Sequence, residues 1–122
     1  MSNVIAFPKN LGSQRASASP PSDALSFVKR RKSKGGGYDY WSISPSGNYT
    51  TGCEAGRLLA AEYLAFIGKY PTAGNATLLN CIVREMVERA TSGNGWSGVH
   101  LGFIRTINEY AMETAVMMRG FR

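Results

Sequence analysis

The 122-residue sequence contains few of the side chains that bind metals or act as nucleophiles. It has one histidine, His100, and two cysteines, Cys53 and Cys81, and none of the three lies at the spacing of a zinc motif. We therefore predict no structural metal site and no cofactor. Two cysteines are also too few for a disulfide framework, so we expect two small buried thiols in a reducing compartment.

A recognisable catalytic set is missing as well. Cys53, Cys81 and His100 fall on three separate predicted elements, and nothing in the sequence couples a thiol to the imidazole. His100 is expected to be a partly exposed residue in the first turn of a helix. The glutamates fall on polar helix faces, where their usual role is to form solvated ion pairs. We predict that the protein is not an enzyme, and we keep a thiol enzyme using His100 as an alternative.

No apolar run approaches the ~18 residues that a membrane-spanning helix needs. The first residues lack the charged region and apolar core of a secretory signal peptide. The sequence therefore predicts a cytoplasmic protein that makes no membrane contact.

Acidic residues are almost absent from the first 34 residues. Seven lysines and arginines there face a single carboxylate, Asp23, which leaves a charge of +6, whereas residues 35–122 are balanced. This part is also rich in serine and proline, so we predict a disordered basic tail over 1–34 that a glycine linker, 35–37, joins to the rest. Within the tail, Val4–Pro8 is a short apolar segment that could pair with a sheet edge or occupy a groove.

Residues 38–122 have the pattern of a single small globular domain. Alternating apolar and polar residues predict a strand from Tyr38, Ser44–Gly47 has the composition of a turn, and the chain can return as a strand to Thr51. Three amphipathic helices are then predicted at about 52–68, 75–91 and 98–118, the first started by a Thr51–Glu54 capping box and the third by Ser97. The predicted fold class is α+β and mainly helical, with a short hairpin, 38–51, packed on a three-helix module.

The basic run is the candidate nucleic-acid site. Neutralising about five phosphates would make affinity fall with salt at a slope of roughly −4.5 on logarithmic axes. The aromatic residues that follow could stack on unpaired bases, or could instead fasten the hairpin to the helices. The predicted nucleic-acid-binding residues are Lys29, Arg30, Arg31, Lys32, Lys34, Tyr38 and Tyr40.

Two tryptophans are candidate partner contacts. Trp96 lies in a glycine-rich loop, 93–98, where it is either a buried anchor or an exposed binding residue. Trp41, at the end of the aromatic run, is assigned to the same partner-binding surface.

Several stretches resemble uncharacterised small proteins of prophages and proteobacteria. They are the opening Met1–Pro8, the run Tyr38–Tyr49, the stretch Cys53–Ala60 and the stretch Ile82–Val87, and the resemblance covers about residues 38–107. It names no activity and no catalytic residue. It implies a mobile-element accessory protein in the cytoplasm of a bacterial host, a class that includes anti-CRISPR inhibitors of host defence.

The leading functional hypothesis is a non-enzymatic interaction protein. Its helical module is expected to bind a protein or nucleoprotein partner, as a monomer or small homo-oligomer, while the basic tail adds nonspecific affinity for DNA or RNA. The alternative is a small DNA-binding transcriptional regulator or a single-strand nucleic-acid binder. The connections between the predicted helices are longer than the 3–4 residues of a helix-turn-helix, which argues against a groove reader.

Overall fold

A computed structural model of the chain describes residues 18–33, 35–44, 48–93 and 95–120. The predicted segment Val4–Pro8 lies outside these residues. In the described residues, two short strands precede three α-helices, and single 3-10 turns lie before β1 and before α2. The strands are β1, Lys29–Arg30, and β2, Tyr38–Asp39, and the helices are α1, Tyr49–Lys69, α2, Leu78–Ser92, and α3, Gly98–Arg119.

The predicted fold class, mainly helical with a short hairpin before three helices, is confirmed. The hairpin, however, is formed by other residues than predicted: β1 pairs antiparallel with β2, with Lys29 opposite Asp39. The predicted return strand at 48–51 is wrong, because these residues start α1. Asn48 caps that helix by accepting a hydrogen bond from the amide of Thr51 at 2.9 Å, so the helix begins before the predicted capping box.

The glycine run forms the turn of this hairpin. Gly36 and Gly37 adopt φ values of 69° and 88°, a region that other residues rarely enter. The amide of Arg31 donates to the carbonyl of Gly37 at 2.8 Å, and the amide of Gly36 donates to that of Ser33 at 2.9 Å. The stretch predicted as a linker therefore closes a tight loop between two paired strands.

The segment before β1 belongs to the core. Leu25, Phe27 and Val28 are almost completely buried. Ser26 donates to the Glu62 carboxylate of α1 from both its amide and its hydroxyl, at 2.7 and 2.6 Å. The prediction of a disordered tail is therefore wrong for residues 18–33, because average composition over 34 residues concealed one short apolar stretch.

Among the described elements, α1 and α3 share the most extensive contact. Their first turns run side by side in the same direction, with Tyr49 beside Gly98 and Cys53 beside Gly102. Glycines on both helices make this approach possible, since a side chain in their place would meet the backbone of the other helix. The glycines at this contact are Gly52 and Gly56 of α1 and Gly98 and Gly102 of α3.

An aromatic cluster fills the space between the N-terminal segment and these two helices. Trp41 lies 5.5 Å from Phe27 and 5.2 Å from Phe103 between ring centroids, and Tyr63 lies 6.0 Å from Phe103. Helix α2 completes the core with Leu78, Ile82 and Met86. The cluster holds the segment 39–44 against the helices and so places the candidate sites around it.

Candidate functional site

The basic run lies on the surface of the hairpin. Lys29, Arg30, Arg31 and Lys32 are exposed, whereas Lys34 lies outside the described residues. The guanidinium of Arg30 lies 3.5 Å from the carboxylate of Asp23 and 5.2 Å from the centre of the Tyr38 ring. The charge of Arg30 is therefore partly balanced within the protein itself.

Arg31 belongs to a cluster of four charges that joins the hairpin to α2. It lies 3.3 Å from Asp39 and 3.7 Å from Glu85, and Arg89 lies 2.9 Å and 3.6 Å from the same two carboxylates. Two cations thus face two anions. Among the described residues of the basic run, Lys29 and Lys32 form no ion pair.

Tyr38 and Tyr40 are half-buried, with ring centroids 5.8 Å apart. Burial, together with the neighbouring Cys81, raises the pKa of Tyr40. A shallow cleft of about 360 Å³ lies beside them, and its charged walls combine two arginines with two glutamates. It is lined by Arg31, Tyr38, Tyr40, Cys81, Arg84, Glu85 and Glu88. Such mixed charge does not favour a phosphate backbone.

This arrangement predicts which cations contribute to nucleic-acid binding. Replacing both Lys29 and Lys32 with alanine should make the salt slope of DNA binding less negative by about 1.8, because each free cation contributes about 0.9. Arg31→Ala should change the slope by less than about 0.5, because Asp39 and Glu85 already balance its charge. Fluorescence anisotropy with labelled DNA over a range of salt concentrations measures both. Equal changes per residue would contradict this division of the basic run.

The structure separates the two tryptophans that were predicted to contact a partner. Trp41 is 1% exposed, so the prediction of a partner contact is wrong for it, because the ring is needed in the aromatic cluster. Trp96 is 49% exposed and stacks on the imidazole of His100, with centroids 4.5 Å apart and ring planes inclined by 21°. The assignment of Trp96 as a partner-binding residue stays a prediction.

His100 is buried, contrary to the expectation of a partly exposed residue. The amide of Ser97 donates to its Nδ1 at 2.9 Å, so the neutral ring carries its proton on Nε2. Burial lowers the pKa of His100. The imidazole completes the cap at the start of α3 predicted at Ser97, a role that the type of residue alone does not indicate.

The lowered pKa of His100 predicts a loss of stability in acid. Below about pH 6.5, His100 becomes protonated in the unfolded chain but stays neutral in the folded chain. The free energy of unfolding should therefore decrease as the pH is lowered, by at most about 1.4 kcal/mol per pH unit. His100→Gln should be less stable at pH 7.5 yet lose less between pH 7.5 and 5.5. Urea unfolding of both proteins at the two pH values measures this. Equal losses would contradict a lowered pKa.

The thiol chemistry considered for the cysteines finds no geometric support. Cys53 and Cys81 are both free and partly buried. Within the described part of the chain, neither cysteine hydrogen-bonds to His100, whose Nδ1 is occupied by Ser97. In the same part, no group of three or more histidine, cysteine or acidic side chains is placed to hold a metal ion.

The second half of α3 is an exposed surface that the described residues leave uncovered. We define the α3 tip as residues 108–120, and every one of them is exposed. Five of its side chains are large and apolar, with exposed fractions between 41% and 64%. They are Tyr110, Met112, Val116, Met117 and Met118. No comparable row of exposed apolar side chains is found elsewhere in the part of the chain that the structure describes.

The apolar surface of the α3 tip surrounds most of the helix. Ile104 and Ile107 pack on the core, and the face that they mark continues along the tip at Tyr110 and Met118. At about 100° per residue, Met112 lies about 160° around the helix from Tyr110. The helix predicted over 98–118 therefore packs on the core only as far as Ile107. A helix that is apolar on most sides is typical of one buried in a larger assembly.

Comparisons with protein-family models, curated proteins and solved structures find no match to this chain. The resemblance to prophage proteins therefore stays a prediction. Among the described residues, no helix combines the length and the apolar character that crossing a membrane requires.

Proposed function

We propose that this chain is a non-enzymatic interaction protein that binds a protein or nucleoprotein partner by seating the α3 tip in an apolar groove. The observation that supports this proposal is the complete exposure of residues 108–120, with five large apolar side chains on a helix that the chain's own core leaves uncovered. Exposed apolar surface of this extent on a small protein typically marks an interaction site. A helix seated in a groove is a recurrent way to cover such a surface.

The side chains define the partner's groove. Because Met112 and Tyr110 project on opposite sides of the helix, both walls of the groove must be apolar. Glu109 and Glu113 lie between these sides on one edge, so the groove needs a cationic or solvated rim there. Covering five roughly half-exposed side chains contributes on the order of 5 kcal/mol before the cost of association.

The exposed lysines of the hairpin support a secondary proposal, weak nonspecific affinity for nucleic acid. Lys29 and Lys32 are available for phosphate contacts, whereas Arg30 and Arg31 are partly neutralised. A role for a phage or another mobile element, including inhibition of a host defence system, is a proposal that rests on the resemblance of residues 38–107 alone.

Charging the α3 tip is expected to abolish partner binding. The double variant Met112→Glu/Val116→Glu places two carboxylates on one face, and burying them uncompensated should weaken binding by at least about 100-fold. Its stability should change by less than about 0.5 kcal/mol per site, because both positions are exposed. Immobilised chain would first capture the partner from lysate of the source cells. Titration calorimetry with the purified partner would then give the Kd.

Leu58→Glu is the matched control, since Leu58 is a similarly exposed apolar side chain on α1, outside the α3 tip. It should retain the wild-type affinity. A purified partner that binds the double variant as tightly as the wild type would overturn the proposal. The wild-type chain could instead self-associate in sedimentation equilibrium, with the association lost in the double variant. That result would show that the α3 tip binds a second copy of the chain, and it would overturn the proposal of a separate partner.

A further inference from the structure

Three of the five large apolar side chains of the α3 tip are methionines. Met112, Met117 and Met118 are between 41% and 64% exposed. The sequence contains two further methionines. Met86 of α2 is completely buried in the core, and Met1 lies outside the described residues. A reagent in solution can therefore reach the thioethers of the α3 tip, whereas the fold shields that of Met86.

The three methionines of the α3 tip are spread around the helix. At about 100° per residue, Met117 lies about 140° from Met112 and about 100° from Met118, which leaves about 120° between Met118 and Met112. The widest side of the helix without a methionine is thus about 140°. A groove that covers about half of the helix contacts at least one of them, whichever side of the α3 tip enters it.

Oxidation converts methionine from an apolar side chain into a polar one. A peroxide transfers one oxygen atom to the thioether: the sulfur lone pair forms the S–O bond as the O–O bond breaks. The sulfur loses two electrons and the peroxide is reduced, hydrogen peroxide to water. Water satisfies the new sulfoxide oxygen in the free chain, but an apolar groove offers it no donor. A sulfoxide on the α3 tip therefore favours the free chain over the complex.

We propose that the α3 tip is a site of reversible methionine oxidation, at which a peroxide converts Met112, Met117 and Met118 to sulfoxides and so releases the partner. The release rests on the proposed function, whereas the preferential oxidation does not. Methionine sulfoxide reductases, one for each epimer at sulfur, reverse the reaction. Because the methionines lie on an exposed helix, these enzymes can reach them without unfolding of the core.

Oxidation of the full-length chain alone tests the site without a partner. The chain is treated with hydrogen peroxide at neutral pH, and peptide mapping by mass spectrometry follows the added oxygen at each methionine. The three methionines of the α3 tip should each be oxidised at least about 10-fold faster than Met86, because oxidation follows exposure. Equal rates at Met86 and at the α3 tip would overturn the proposal.

The triple variant Met112→Leu/Met117→Leu/Met118→Leu is the matched control for the release. Leucine keeps the apolar character and nearly the volume of methionine, so this variant should bind the purified partner within about 5-fold of the wild type. It has no sulfur to oxidise in the α3 tip, but it retains Cys53 and Cys81. Peroxide should weaken binding by the wild type at least about 30-fold and leave the triple variant unchanged. Treatment with both reductases should restore the wild-type affinity.

The charged double variant Met112→Glu/Val116→Glu separates this proposal from the proposed function. A partner that binds oxidised and reduced wild type equally, but does not bind the charged variant, would overturn the oxidation proposal alone. A partner that binds the charged variant as tightly as the wild type would overturn the proposed function and the release with it. Equal losses in the wild type and the triple leucine variant after peroxide would assign the effect to the thiols and overturn the role of the methionines.

Discussion

Gly102→Ala is expected to cost about 3 kcal/mol of folding free energy and to lower the Tm by more than about 10 °C. A Cβ at this position would press on the carbonyl group of Cys53, whose carbon would lie 2.8 Å away. Both contacting groups are helix backbone, so α1 and α3 must separate to admit one methyl group. Thermal unfolding followed by circular dichroism measures the loss, which is a large part of the 5–15 kcal/mol that stabilises a typical domain.

Gly68→Ala is the matched control for that prediction. Gly68 also lies in α1, but a Cβ there would meet nothing within 4 Å. Alanine favours helix over glycine by up to about 1 kcal/mol, so this variant should be unchanged or slightly more stable. If Gly102→Ala were as stable as Gly68→Ala, that result would contradict the close packing of the α1 and α3 backbones at Gly102.

Phe27→Ala is expected to lose about 3–5 kcal/mol, the usual cost of removing a large aromatic side chain from a core. Phe27 is fully buried, 5.5 Å from Trp41 and 5.6 Å from Phe103 between ring centroids. The midpoint of urea unfolding should fall accordingly. Chains that begin at residue 35 lack Leu25, Phe27 and Val28 together and should not fold stably.

Lys29→Ala tests the same segment two residues further on, where the side chain is exposed. Its unfolding midpoint should stay close to that of the wild type, within about 0.5 kcal/mol. A Phe27→Ala midpoint equal to that of Lys29→Ala would show that the segment before β1 is not part of the core.

The helices could be predicted because their signals are local. The Ser97 cap and the predicted end of the first helix near residue 68 are confirmed by the structure, in which α1 ends at Lys69. The hairpin could not be placed, since period-two alternation at Tyr38 does not identify the strand that pairs with it. The pairing strand, β1, lies within residues 1–34, which were predicted to be disordered because they are polar and positively charged.

The candidate sites were predicted less well because exposure depends on tertiary packing. Trp41 and Trp96 have the same side chain, and only the aromatic cluster separates the buried one from the exposed one. The α3 tip was missed because an amphipathic helix was expected to pack along its whole length. The signal in the sequence was the position of Met112 and Val116, which lie on a different side of the helix from Tyr110.

Hydrogen exchange of the full-length chain, free and bound to its purified partner, tests the proposed role of the α3 tip most directly. We expect the amides of residues 108–120 to exchange faster in the free chain than those of 98–107, which pack on the core, and to become strongly protected in the complex. The hairpin amides at 29–39 should change little. Protection confined to the hairpin, with the α3 tip unchanged, would contradict the proposal and show that the partner binds the basic surface instead.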